Sequence, residues 1–148
     1  MPAINLSITR QGPPIRAFVG VSRYREMALK KRDLPAPRWT EGNFLIDTGA
    51  SGTCIDSGLL EPLNIPPTGV VSVQTPSTGA TPRQCDQYDV MLYLPGTDQA
   101  REALHFPAAA VLETSLASQG IDGLLGRDVL DNCVFIYNAS LRIFTLAY

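Results

Sequence analysis

The apolar triplet Phe44-Leu45-Ile46 runs directly into an acid, Asp47, and then into Thr48-Gly49. A run that apolar reads as a strand driven into a core, and a carboxylate at its end is costly to desolvate unless donors or water meet it. The chain must therefore turn abruptly after Ile46, at a place water can still reach. Gly49, which has no Cβ, suits such a turn and lets another backbone pass close by.

The rest of the chain is punctuated in the same way. Twelve Pro and twelve Gly in 148 residues break it too often for long helices and predict an all-β class of short strands joined by turns. Alternating apolar residues in 4–9 (Ile4, Leu6 and Ile8 inward) and in 17–21, on either side of Gly12-Pro13-Pro14, predict two opening strands in a hairpin-like pair. Residues 22–38 hold most of the positive charge, but Glu26 and Asp33 interrupt it, so a solvated loop or short helix is expected there. Strands are predicted at 39–46, 70–75, 88–94 and 104–112, with a buried run at 121–125 and a closing hairpin of 134–137 and 141–146 about Asn138-Ala139-Ser140. Asp56 is placed to cap a short helix reaching about Leu63, and 127–132 predicts another. The small, turn-rich segment 76–82 reads as a projecting hairpin tip.

Several function classes drop out. A net charge of −2 lacks the basic surface that nucleic acid requires. Cys54, Cys85 and Cys133 are widely spaced and odd in number, which fits reduced thiols rather than a disulfide framework or zinc site. His105 stands alone, without companions for a metal or a nucleophile–base pair, so neither metal nor cofactor is expected. No apolar run is long enough to span a membrane and no signal peptide opens the chain, which predicts a soluble, cytoplasmic protein.

Asp47-Thr48-Gly49-Ala50-Ser51 after its apolar strand resembles the active-site loop of the aspartic proteases, and of their retropepsin branch in particular. The segment Ile121-Asp122-Gly123-Leu124-Leu125-Gly126-Arg127-Asp128-Val129-Leu130 is similar to the element of two apolar residues and Gly-Arg that follows the flap in that branch. Together they cover the chain from about Phe44 to Leu146. The resemblance implies a closed-barrel acid-protease fold over a single domain, 1–148. Within it, 1–38 supplies N-terminal strands and a basic, Pro-containing loop, and 39–148 the core with Asp loop, flap and C-terminal hairpin.

It also implies roles. Asp47 would be the catalytic acid, Thr48 would bond across to a partner loop, Gly49 would admit substrate backbone, and Ala50 fits the small apolar position of retroviral enzymes. Ser51 stands where those enzymes carry an Asp that pairs with the later Arg. It is expected at the substrate side, and Arg127 is expected to find another acid, Asp128 or one outside the motif. Leu125, Gly126 and Arg127 would support the loop from beneath, and Thr78, Gly79 and Ala80 would form the flap over substrate. Asp56-Ser57-Gly58 repeats the Asp-X-Gly pattern, but it follows Asp47 too closely to belong to a second lobe, and the helix-cap reading is preferred. With one suitable loop per chain, a two-carboxylate mechanism requires a homodimer acting on a peptide or protein substrate. The alternatives are a retropepsin-fold dimerisation or peptide-binding module with little turnover, and a β-rich structural protein in which Asp47 is only a turn residue.

Overall fold

Residues 1–75, 78–97 and 102–148 are described by a computed structural model. Along the chain these form β1 (Ala3–Ser7), β2 (Pro14–Val21), α1 (Arg23–Lys31), β3 (Thr40–Ile46), β4 (Cys54–Asp56) and α2 (Ser57–Leu60). They continue with β5 (Gly69–Val73), β6 (Arg83–Leu94), β7 (Leu104–Thr114), β8 (Gly123–Leu125), α3 (Arg127–Leu130), β9 (Val134–Asn138) and β10 (Ile143–Ala147). The class is all-β with a few short helices, as expected.

Strands β2, β3, β8, β4, β7 and β6 are hydrogen-bonded in that order, and β6 pairs back onto β2, so among the described residues they close a six-stranded barrel. β5 extends the sheet beyond β6, and β1, β10 and β9 form a separate antiparallel sheet. Period-2 alternation explains which side faces in. Ile15, Ala17 and Val19 of β2 and Phe44 and Ile46 of β3 are buried, while Arg16 of β2 and Glu41 of β3 are exposed and form an ion pair. Burying Phe44 contributes on the order of 2–3 kcal/mol. Its ring fills the space where a Cβ on the facing Gly123 would sit, so that register of β3 against β8 admits only glycine there.

The expected pairing of the first two strands is not found. β1 pairs with β10, from Ala3 opposite Ala147 to Ser7 opposite Ile143. β3 runs along one edge of β2 from Pro14 to Val19 and β6 takes Phe18 to Val21 on the other, while β10 offers a partner to all five residues of β1. The basic segment forms α1, capped by Ser22 with no buried residue, followed by a mostly exposed stretch without regular structure, which agrees with a solvated helix and loop. Asp56 caps α2, which passes into a 3-10 turn ending at Leu63. Of the expected hairpin tip, Pro76 and Ser77 lie outside the described residues, and Thr78, Gly79 and Ala80 form a turn. No helix among the described residues is long and apolar enough to cross a membrane.

Candidate active site

Asp47 stands one residue beyond β3 and is held by its neighbours on β8 and α3. Its backbone N–H donates to the Leu125 carbonyl at 3.0 Å, extending the parallel β3–β8 pairing by one bond. The carboxylate Oδ1 accepts the Gly49 N–H at 2.9 Å, and the Ala50 N–H returns to the Asp47 carbonyl at 3.2 Å, which closes the turn. The Arg127 N–H donates to the Ala50 carbonyl at 2.9 Å, tying the far end of the loop to the start of α3. Both ends of the loop are thus fixed to one strand–helix junction.

Against expectation, Arg127 forms no ion pair with an acid among the described residues. Its Nη1 donates to the carbonyls of Thr48 (2.9 Å) and Gly49 (3.3 Å), while the Asp128 carboxylate is engaged elsewhere. Asp128 Oδ2 accepts the Thr53 N–H at 2.9 Å, and Oδ1 accepts the Thr53 hydroxyl at 2.8 Å and the Val129 N–H at 2.9 Å. The Thr53 hydroxyl oxygen in turn accepts the Gly126 N–H at 3.1 Å. This network replaces an ion pair by hydrogen bonds: Arg127 braces the loop from its carbonyl side and Asp128 anchors the strand that leaves it. Gly126 is required where it lies, since a Cβ there would come within 2.5 Å of the Gly52 carbonyl carbon.

The half-buried Asp47 opens on a cleft of about 570 Å³. Gly49, Ala50, Ser51 and Gly52 line it from the loop, Cys54, Leu112 and Leu124 from the barrel, and residues 71–75 from β5 and the chain beyond it. The candidate residues are therefore brought together unequally. Asp47, Gly49, Ala50 and Ser51 border the cleft; Leu125, Gly126 and Arg127 lie behind the loop. Thr48 is exposed at the tip, offering its carbonyl to Arg127. Thr78 lines an adjoining arm, and its hydroxyl closes a turn with Thr75. Gly79 adopts a φ of +60° suited to a residue without a Cβ, and with Ala80 lies away from the cleft wall.

Sequence reasoning missed Thr53 and the part played by Asp128, and it missed Cys54, Leu112 and Leu124 as cleft walls. The thiol of Cys54 is pushed up to about 11, chiefly by burial and then by Cys85, Asp128 and Asp47, so it is a neutral apolar wall rather than a nucleophile. Among the described residues no cluster of His, Cys, Asp and Glu could hold a metal.

Residues 40–129 match the model of the aspartyl protease family. Among solved structures, the chain is similar to a retropepsin-like aspartic protease from Rickettsia conorii, at a TM-score of 0.59 and 16% identity over 99% of this chain and 90% of that one. It is also similar to the simian foamy virus (mac) protease, at a TM-score of 0.45 and 19% identity over 80% of this chain and 91% of that one. No curated protein sequence matches it.

Proposed function

Because the chain belongs to the aspartyl protease family and has the retropepsin fold, we propose that it is an endopeptidase in which Asp47 is the acid–base group and two identical chains share one active site. The observation that carries this reading is the half-buried Asp47 carboxylate, opening on a cleft and held by a loop braced at both ends. One carboxylate cannot both activate water and protonate the peptide oxygen, and each chain supplies one such loop. Two Asp47 carboxylates about 3 Å apart, at an effective dielectric near 20, would cost about 5 kcal/mol to ionise together, so the pair retains one shared proton.

In this mechanism the ionised Asp47 takes a proton from water while the protonated one donates to the carbonyl oxygen. The new C–O bond gives a tetrahedral diol. Its collapse breaks the C–N bond and passes a proton to the leaving amine, yielding a carboxyl and an amino terminus. Thr48 would reach the second copy's loop, Gly49, Ala50 and Ser51 would border the substrate backbone, and the hairpin bearing Thr78, Gly79 and Ala80 would act as a flap that excludes water. Residues 1–148 act as one such domain, with Leu125, Gly126 and Arg127 as its internal support.

The test is cleavage of a mixed, denatured protein substrate by wild type and by Asp47→Asn from acidic to neutral pH, with products identified by mass. Products from wild type alone are expected. Equal products from both proteins would overturn the assignment, and no products from a confirmed dimer would leave a peptide-binding module as the better account.

A further inference from the structure

Arg83 begins β6 directly opposite Val73 of β5. Side chains alternate along a strand, so Arg83 shares its face with Cys85, and Val73 shares the same face with Val71. That face borders the cleft, since Val73 lines it and Val73, Arg83 and Cys85 together line the space that adjoins it. Past Cys54, Val73, Leu112 and Leu124 the cleft continues into an arm of about 250 Å³ that reaches Leu116 and Arg83. Apart from Asp47, Arg83 is the one charged residue among the described residues lining the cleft and its arm.

The other face of the hairpin carries the acids. Asp86 lies opposite Glu113 across β6 and β7, by continuation of the register that pairs Gln87 with Leu112, and the Tyr88 hydroxyl donates to Glu113. Arg83 also borders a shallow outer pocket with Asp86 and Glu113, yet among the described residues neither forms an ion pair with it. The exposed Arg83 therefore borders an arm whose other walls are uncharged, apolar at Val73, Leu112, Leu116 and Leu124 and polar at Thr114 and Gln119.

We propose that this arm selects an acidic side chain of the substrate, glutamate above all. The methylenes of a glutamate can lie along Leu112, Leu116 and Leu124 while its carboxylate meets the Arg83 guanidinium. The proposal rests on the proteolytic reading of the same cleft and adds a substrate class to it. In a dimer, two-fold symmetry sets one such arm on each side of the scissile bond.

A peptide panel tests it, with one apolar pair at the scissile bond and Glu, Gln or Lys stepped through the three positions on either side. Wild type is expected to prefer Glu over Gln by about fivefold at one position, with the preference falling as salt is raised. Arg83→Glu is expected to reverse the order so that Lys exceeds Glu. That ratio is internal to each protein, so a loss of folded material does not mimic it. Binding of the same peptides to Asp47→Asn, followed by fluorescence anisotropy, gives the readout without turnover. Asp47-dependent cleavage with the same Glu-to-Gln ratio in wild type and Arg83→Glu would overturn the acidic preference and leave the protease reading standing. A Glu preference in binding that Arg83→Glu reverses, without cleavage by wild type, would support the arm and overturn the protease reading. Neither binding nor cleavage would overturn both.

Discussion

Asp47-Thr48-Gly49 and Asp56-Ser57-Gly58 are the same local device in two different settings. Each acid stands at the end of a strand, and each accepts the N–H of the glycine two residues on, at 2.9 Å in both cases. The difference comes from what the rest of the chain adds. Asp56 is buried and accepts two more N–H groups, from Leu116 at 2.6 Å and Ala117 at 2.9 Å, so its charge is used up in holding the barrel to the turn after β7. Those bonds, Leu116 first and then Gly58, hold its carboxyl below the usual value of 3.8. Asp47 takes only the Gly49 N–H among the described residues, and it borders the cleft. A carboxylate left under-coordinated beside a cleft is free to do chemistry, whereas one saturated by backbone donors is structural.

Substitution of the two acids should separate these roles, and the largest effect is expected at Asp47. Asp47→Asn keeps an oxygen to accept the Gly49 N–H, so the urea midpoint should stay close to wild type while cleavage falls by a factor on the order of 10²–10⁴. Asp56→Ala should do the reverse, lowering unfolding free energy by about 3 kcal/mol in urea titration, with the specific activity of the folded fraction retained. If Asp56→Ala abolished cleavage at full stability, the contrast between the two turns would fail.

A smaller loss, about 2 kcal/mol, is expected for Gly126→Ala, which forces Gly52 and α3 apart and loosens the Asp47 loop but leaves the Asp56 turn intact. Below it in size is the pH effect. Because the carboxyl of Asp56 is held down in the folded state, its contribution is whole above the unfolded value of 3.8 and is lost as pH falls through the lower folded one. Stability of wild type and Asp56→Asn should therefore converge in strong acid, separate as pH rises toward 3.8 and differ by a constant amount above it. Least of all, native Cys54 should alkylate far more slowly with iodoacetamide at neutral pH than in urea, since burial keeps its thiol protonated.

The sequence announced these two turns differently from the features that distinguish them. Asp56 was legible as a cap because the Gly58 bond is local, β1 and β2 because alternation records which face is buried, and β3 because its apolar triplet runs into an acid. Alternation does not record which edge is paired, which is why β1 was expected against β2 and is found on β10. β4, three residues long, is too short to show any period. The Asp47 loop was recognisable from its apolar strand and from the second Gly-Arg segment, but its bracing was not. Thr53 and Asp128 are 75 positions apart, and the exchange of an expected ion pair for two carbonyl bonds to Arg127 depends on where the loop's carbonyls point.

That long-range bracing has a consequence during synthesis. The groups that set the Asp47 loop, Leu125, Arg127 and Asp128, are translated well after the loop itself. At about 5–20 residues per second, the stretch from Thr53 to Asp128 takes roughly four to fifteen seconds to emerge. Throughout that interval the nascent chain carries the acid without the scaffold that aims it, and a ribosome-bound or truncated product ending before residue 125 should be inert toward its neighbours, even at high local concentration.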